Sequence, residues 1–151
     1  MLFVTIHFLS LFSAALLAGA VFLVWFGDRP FALAPSDYVA FQQQRIRGLT
    51  RPMPILGAVT LLFTLAYAAL SRGSPHGWLV FAAMPCLGAG MLITRFANMP
   101  INAEVLTWSV AAPPAHWREA RDRWWAWHVA RTAVTLAALA LLLLATLVNA
   151  R

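Results

Sequence analysis

Long apolar runs alternate along the chain with short polar segments. Nothing from Phe8 to Gly27 is charged, and His7 is the only titratable side chain before Asp28. Farther on, Arg51 and Arg72 bracket 20 uncharged residues, Arg72 and Arg95 bracket 22, and Arg131 and Arg151 bracket 19. About 20 apolar residues in helical form cross a hydrocarbon core of ~30 Å. Lipid offers no partner to open backbone groups, so helix is the form such runs take. The pattern predicts an all-α membrane protein, a four-transmembrane-helix bundle with helical extensions at its cytoplasmic ends. The spans fall at about 4–26, 53–71, 76–96 and 129–149, within one membrane domain over 1–151.

The polar segments carry structure of their own. Ser36 is the expected N-cap of a helix through Tyr38, Phe41 and Arg45, ended by Pro52 and Pro54. The third span should continue past Arg95 toward Trp108, with Pro85 and Pro100 as kink points. Residues 111–114, Ala-Ala-Pro-Pro, break the chain. From Ala115 to Asn149 nothing interrupts a helix of ~35 residues, ~50 Å at the usual rise. That exceeds one span, so its first third projects from the bilayer or lines the mouth of the bundle. In the first run, Ala14 with Ala18 and Ala15 with Gly19 offer small-residue pairs for close helix packing. Ala32-Leu33-Ala34 has the form of a signal-peptide cleavage site. The run before it is too long and lacks a basic start, and Pro35 follows, so it reads as a span.

Composition agrees with a membrane solvent. The chain is 62% hydrophobic and 11% charged, with mean hydropathy +0.74. All eleven basic residues are arginine, and the net charge is +6. They flank the apolar runs instead of forming a stripe, so nucleic acid is not an expected partner. The bilayer is. Arg29, Arg45, Arg47 and Arg51 lie between spans one and two, and Arg95, Arg118, Arg121, Arg123 and Arg131 between spans three and four. Only Arg72 and Arg151 mark the other side. The positive-inside rule then puts both large loops in the cytoplasm and both termini outside, in a bacterial inner membrane. Arginines that line a site would lose their value as topology markers.

Cys86 is the lone cysteine, in an apolar stretch, and reads as a small core hydrophobe. No HxH, HxxxH or HExxH spacing is present, so neither a metal nor another cofactor is expected.

The candidate chemistry gathers at the loop-side ends of spans three and four. Arg95, Asn98 and Asn102 are spaced for one helical face, which Met91 and Leu106 continue. Trp117, Arg121, Trp124, His128, Arg131 and Thr135 follow steps of 4, 3, 4, 3 and 4 along another. Taken singly, the tryptophans suit an interfacial belt and the asparagines structural hydrogen bonds. Together, polar groups at membrane depth point to a bundle interior or a cavity. His128 is the side chain best able to exchange a proton near neutral pH.

The stretch Phe96-Ala97-Asn98-Met99-Pro100-Ile101-Asn102, then Leu106, Trp108, Trp117, Arg121, Trp124, His128 and Arg131-Thr132, resembles the signature of the DUF1772 membrane family. That family includes the fungal anthrone oxygenases, which convert an anthrone to an anthraquinone with molecular oxygen. The resemblance is close over about 95–135 and elsewhere extends only to the four-span layout. It implies a cofactor-independent oxygenase acting on a lipophilic aromatic carbon acid. His128 would be the base, Asn98 and Asn102 the oxyanion donors, and Arg131 or Arg95 the stabilising charge. Trp124 would stack on the ring, with Arg95, Arg121 and Trp117 completing the binding surface.

Two other classes compete with that enzyme. A non-catalytic accessory or binding subunit would show a filled bundle and a flat apolar docking face. A metal or haem redox protein lacks ligand spacing. The enzyme needs a cavity between spans three and four and a lipophilic small molecule to fill it. A homo-oligomer and a larger membrane complex both stay open. A transporter or channel is disfavoured, since the chain has no inverted repeat and no acid at mid-membrane.

Overall fold

The computed structural model describes residues 1–28 and 30–149, so the topology readings on Arg29 and Arg151 lie outside the described residues. It is all helical among them. Helix α1 spans Leu2–Gly27, α2 Pro35–Leu49, α3 Pro52–Leu70, α4 Gly77–Ile93, α5 Met99–Val105 and α6 Trp117–Asn149. A short 3₁₀ turn, Pro30–Ala32, precedes α2, and a π turn, Thr94–Asn98, joins α4 to α5.

Four of these elements are long and apolar enough to cross a membrane: α1, α3, the α4–α5 run and α6. Their outward surfaces carry Phe8, Phe12, Leu23, Ile55, Leu62, Trp78, Leu92 and Leu147, all exposed. So much exposed apolar surface, distributed over every long helix, requires a lipid solvent. The chain is an integral membrane protein.

Within the bundle α1 packs on α3 and α6, and α4 on α3 and α6. Small side chains let the helices approach: Ala14, Ala68, Ala83, Ala138 and Ala145 are all buried in one cluster with Tyr67, Val80 and Leu142. Of the two small-residue pairs expected on α1, Ala14 and Ala18 are buried in packing. Ala15 and Gly19 are exposed, because that edge of α1 faces outward, where no helix packs. Several hydroxyls inside the bundle find partners that lipid would not offer: Ser10 Oγ lies 3.1 Å from Thr64 Oγ1, and Thr60 Oγ1 donates to the Leu56 carbonyl.

The start of α2 differs from expectation. Pro35 occupies its first turn, its fixed φ already helical, and the capping position is Ala34; Ser36 lies inside the helix and is not the cap. Likewise α4 runs through Pro85 without a break. The irregularity falls before Pro100, which has no N–H for the Phe96 carbonyl. There the ladder widens, and the Met99 N–H bonds to the Thr94 carbonyl five residues back.

The polar segments 28–51 and 96–130 fold against each other at one end of the bundle. Ile46 of α2 packs with Ile101, Val105, Ala120 and Trp124, and Tyr38 and Val39 pack with Trp117. Gln43 fastens this corner: its Nε2 donates to the carbonyls of Val105 and Trp108, both 2.9 Å away, and so caps the end of α5.

Candidate functional site

Beneath this corner lies a largely apolar cavity of about 330 Å³. Ala20, Val21 and Val24 of α1, Ile46 and Leu49 of α2, and Met53 and Pro54 of α3 form its greasy walls. Its polar lining is Arg45 and Thr50 from the α2 end, Thr94 from the π turn, Asn102 from α5, and Trp124 and Arg131 from α6. Exposed Leu23, Leu49, Thr50 and Leu106 stand along its edge, so it opens to the surface of the bundle.

Trp124 is the centre of the polar wall. It is 5% exposed, which removes it from any interfacial belt. Its indole N–H donates to Asn102 Oδ1 at 2.7 Å, and its carbonyl accepts from Asn98 Nδ2 at 3.0 Å. The two asparagines, one turn apart, thus hold both the backbone and the ring of one residue. Asn98 is fully buried, and its Oδ1 has no hydrogen-bond partner.

Two guanidinium groups reach the same indole. Arg45 stands 4.3 Å from its ring centroid and Arg131 5.9 Å. Arg45 also donates to Asp28 Oδ2 and Gln42 Oε1. Burial, and after it the charge of Arg131, pull Arg45 down to about 10. Arg131 donates through Nε to His128 Nδ1 at 3.0 Å and through Nη1 to Thr94 Oγ1 at 3.3 Å. Among the described residues no carboxylate pairs with Arg131.

His128 sits behind this wall. It is fully buried, stacked on Trp124 with centroids 5.0 Å apart, and does not line the cavity. Because Nδ1 accepts from Arg131, the ring proton belongs on Nε2, which lies against the Val21 backbone without a hydrogen bond of ordinary geometry. As placed, His128 contacts Arg131 and Trp124, not the cavity.

The structure therefore brings Asn98, Asn102, Trp124, His128 and Arg131 into one connected network. It holds three other candidates apart from it. Arg95 is exposed and stacks on Phe96, because the wider π turn rotates it off the face that carries Asn98. Trp117 is buried against Tyr38, and Arg121 lies over Phe31 and Trp117 while bonding Asp122 at 2.8 Å. Those two brace α6 against the α2 corner. The cavity itself lies less between spans three and four than between α1, α2, α3 and α5, with α6 behind. Arg45 was legible only as a topology charge. The hint was Asp28, an acid at the end of a span in a chain with five acids in all.

The family model described as anthrone oxygenase matches residues 41–141. No curated protein matches the chain, and neither does any solved structure. The matched stretch holds every polar residue of the cavity wall, from Arg45 to Arg131. Over two-thirds of its length, and throughout its cavity's polar face, the chain belongs to the anthrone oxygenase family.

Proposed function

We propose that the chain is an oxygenase-like membrane enzyme that binds a planar, lipophilic carbon acid in the 330 Å³ cavity and directs its oxidation by dioxygen. The observation that carries this reading is a pair of partly buried guanidinium groups, Arg45 and Arg131, set against one indole in a largely apolar cavity. The volume suits a small ligand. The aromatic and aliphatic walls take its rings, and the cations take the charge that appears when a methylene beside a carbonyl loses a proton.

The steps balance without another oxidant. The bound substrate gives up a methylene proton to water, and the resulting enolate oxygen rests on Arg131, Arg45 and the Asn102–Trp124 pair. The electron-rich carbon forms a bond to dioxygen, and protonation yields a hydroperoxide. Loss of water leaves a carbonyl where the methylene was, one oxygen atom going to product and one to water. His128 contributes by fixing Arg131 in place: its Nδ1 directs Nε inward and leaves the outer nitrogens of the guanidinium for Thr94 and the substrate. The open cavity favours this reading over a filled accessory subunit. The excess of arginine in the loop-side segments supports a cytoplasmic position for that end.

The test uses the purified full chain with a planar phenolic carbon acid under oxygen, with and without chelator. One dioxygen should disappear per ketone formed. Arg131→Gln should lower turnover about 10²–10³-fold, the cost of losing an anion-stabilising donor. Full turnover in both Arg131→Gln and Arg45→Gln would remove the anion-binding reading. No turnover on any such substrate, with tight co-purification of a larger membrane complex, would favour the accessory subunit.

A further inference from the structure

A second, smaller cavity of about 80 Å³ adjoins the first and shares Val21, Met53, Pro54, Thr94 and Arg131 with it. It runs deeper into the bundle, between Leu17 of α1, Gly57 of α3, Leu87 and Gly90 of α4, and Thr135 of α6. We propose that this annex holds dioxygen beside the substrate. The inference rests on the oxygenase reading and adds to it a separate site for the second reactant.

Size, lining and position each point to this occupant. The annex is much too small for a fused aromatic ring system, yet has room for a diatomic molecule. Leu17, Val21, Met53 and Leu87 give it a mainly aliphatic lining, though Thr94, Arg95, Arg131 and Thr135 also border it, and small apolar cavities accept apolar guests such as xenon. Dioxygen, like xenon, is apolar and gathers in hydrocarbon, so the bilayer is its reservoir. The outer margin of the annex passes exposed Met91, on the lipid-facing surface of α4. Its inner margin reaches Arg131, where the enolate charge is placed. A gas molecule arriving this way meets the substrate carbon without crossing the substrate's own entrance.

The space exists because position 57 has no side chain. A Cβ built on Gly57 would meet only Met91 Cγ, at 3.9 Å, an ordinary contact. Gly90 is different: a Cβ there would come within 3.3 Å of Thr135 Oγ1. Gly57 can therefore be enlarged into the void at ordinary contact distance, whereas at Gly90 the Thr135 side chain would have to give way. The annex is the gap that Gly57 leaves.

Steady-state kinetics on the full-length protein at varied oxygen should separate the two reactants. Gly57→Val and, from the opposite wall, Leu17→Phe should each raise the KM for dioxygen about tenfold or more, as filling a fitted apolar pocket does, with the KM for the carbon acid little changed. A raised carbon-acid KM at constant oxygen KM would make the annex part of the substrate cavity and overturn the proposal. Unchanged values for both would do the same. A second measurement is independent of turnover: crystals under xenon pressure should show xenon beside Gly57 and Leu87 in the wild type and none in Gly57→Val. Turnover without xenon there and without an oxygen effect removes this inference alone. Xenon there in a chain that oxidises no carbon acid removes the oxygenase reading and the dioxygen role together.

Discussion

The two ends of the bundle bury similar chemistry and treat it differently. At one end His7 Nε2 lies 2.8 Å from Thr146 Oγ1 and stacks on Tyr67 at 4.5 Å. Tyr67 in turn stacks on His76, which Ser74 contacts at 3.3 Å. At the other end His128 stacks on Trp124 and meets Arg131. Both are histidine–aromatic stacks inside packed helices. The first is closed by a tight turn between α3 and α4, where Gly73 takes a φ of +80° and a Cβ on Gly77 would stand 2.4 Å from the Ser71 carbonyl. The second has an extra helix, α2, and a widened turn before α5 inserted around it. Added elements that cannot pack flush leave a cavity, and its polar wall includes two cations. Polar burial alone does not make a site; polar burial beside open space does.

The comparison predicts that the two histidines are unequal. His128→Gln should lower turnover by roughly 10²-fold, the cost of a misplaced partner, with the shape of the pH–rate profile unchanged. His7→Gln should leave turnover near the wild-type value. If His128 were instead the base, the loss would be about 10²–10⁴-fold and the acid limb would vanish. A rate profile with that limb abolished would return His128 to direct proton transfer and require it to part from Arg131.

Stability should separate the ends in another way. Asn98→Ala strands the Trp124 carbonyl and opens a small void, which should cost about 1–3 kcal/mol by thermal unfolding in detergent. Because it also loosens the cavity wall, the carbon-acid KM should rise with it. Gly77→Ala drives a methyl into the Ser71 carbonyl, so the sealed turn must shift and stability falls. Its KM should not move. Equal KM effects from the two changes would mean that the ends are coupled through the helices and the contrast is superficial.

Much of this was legible from the chain and some was not. Charge-free windows suffice to find four spans because a bilayer enforces both length and apolarity. The polar stripe from Trp124 to Arg131 was legible because α6 is regular there. The stripe through Arg95 was not, since the shared face assumes 3.6 residues per turn and the Thr94–Asn98 turn is wider. Arg45 also escaped notice, because an arginine between two spans carries the same letter whether it marks topology or lines a cavity. Only the fold of α2 over α5, fixed by Gln43 and Ile46, distinguishes them. His128 lies on the stripe from Trp124 to Arg131, but Arg131 donates to its Nδ1 and its ring stacks on Trp124 instead of lining the cavity.

The smallest expected effect concerns Arg45 and has opposite signs for stability and binding. Burial pulls it from the ordinary guanidinium range down to about 10. Between those values the native chain binds fewer protons than the unfolded chain, so this group makes stability rise with pH across that window. Below about 10 both states hold the proton, and it contributes no slope. Anion binding runs the other way: once Arg45 is neutral, one of the two cations facing the cavity is gone. The affinity for a planar aromatic carboxylate inhibitor, ionised throughout this range, should therefore be level up to about pH 9 and weaken above 10. Arg45→Gln should bind weakly throughout and show a smaller alkaline step, while His7→Gln at the sealed end keeps the full one. An alkaline step of undiminished size in Arg45→Gln would assign the titration to another group.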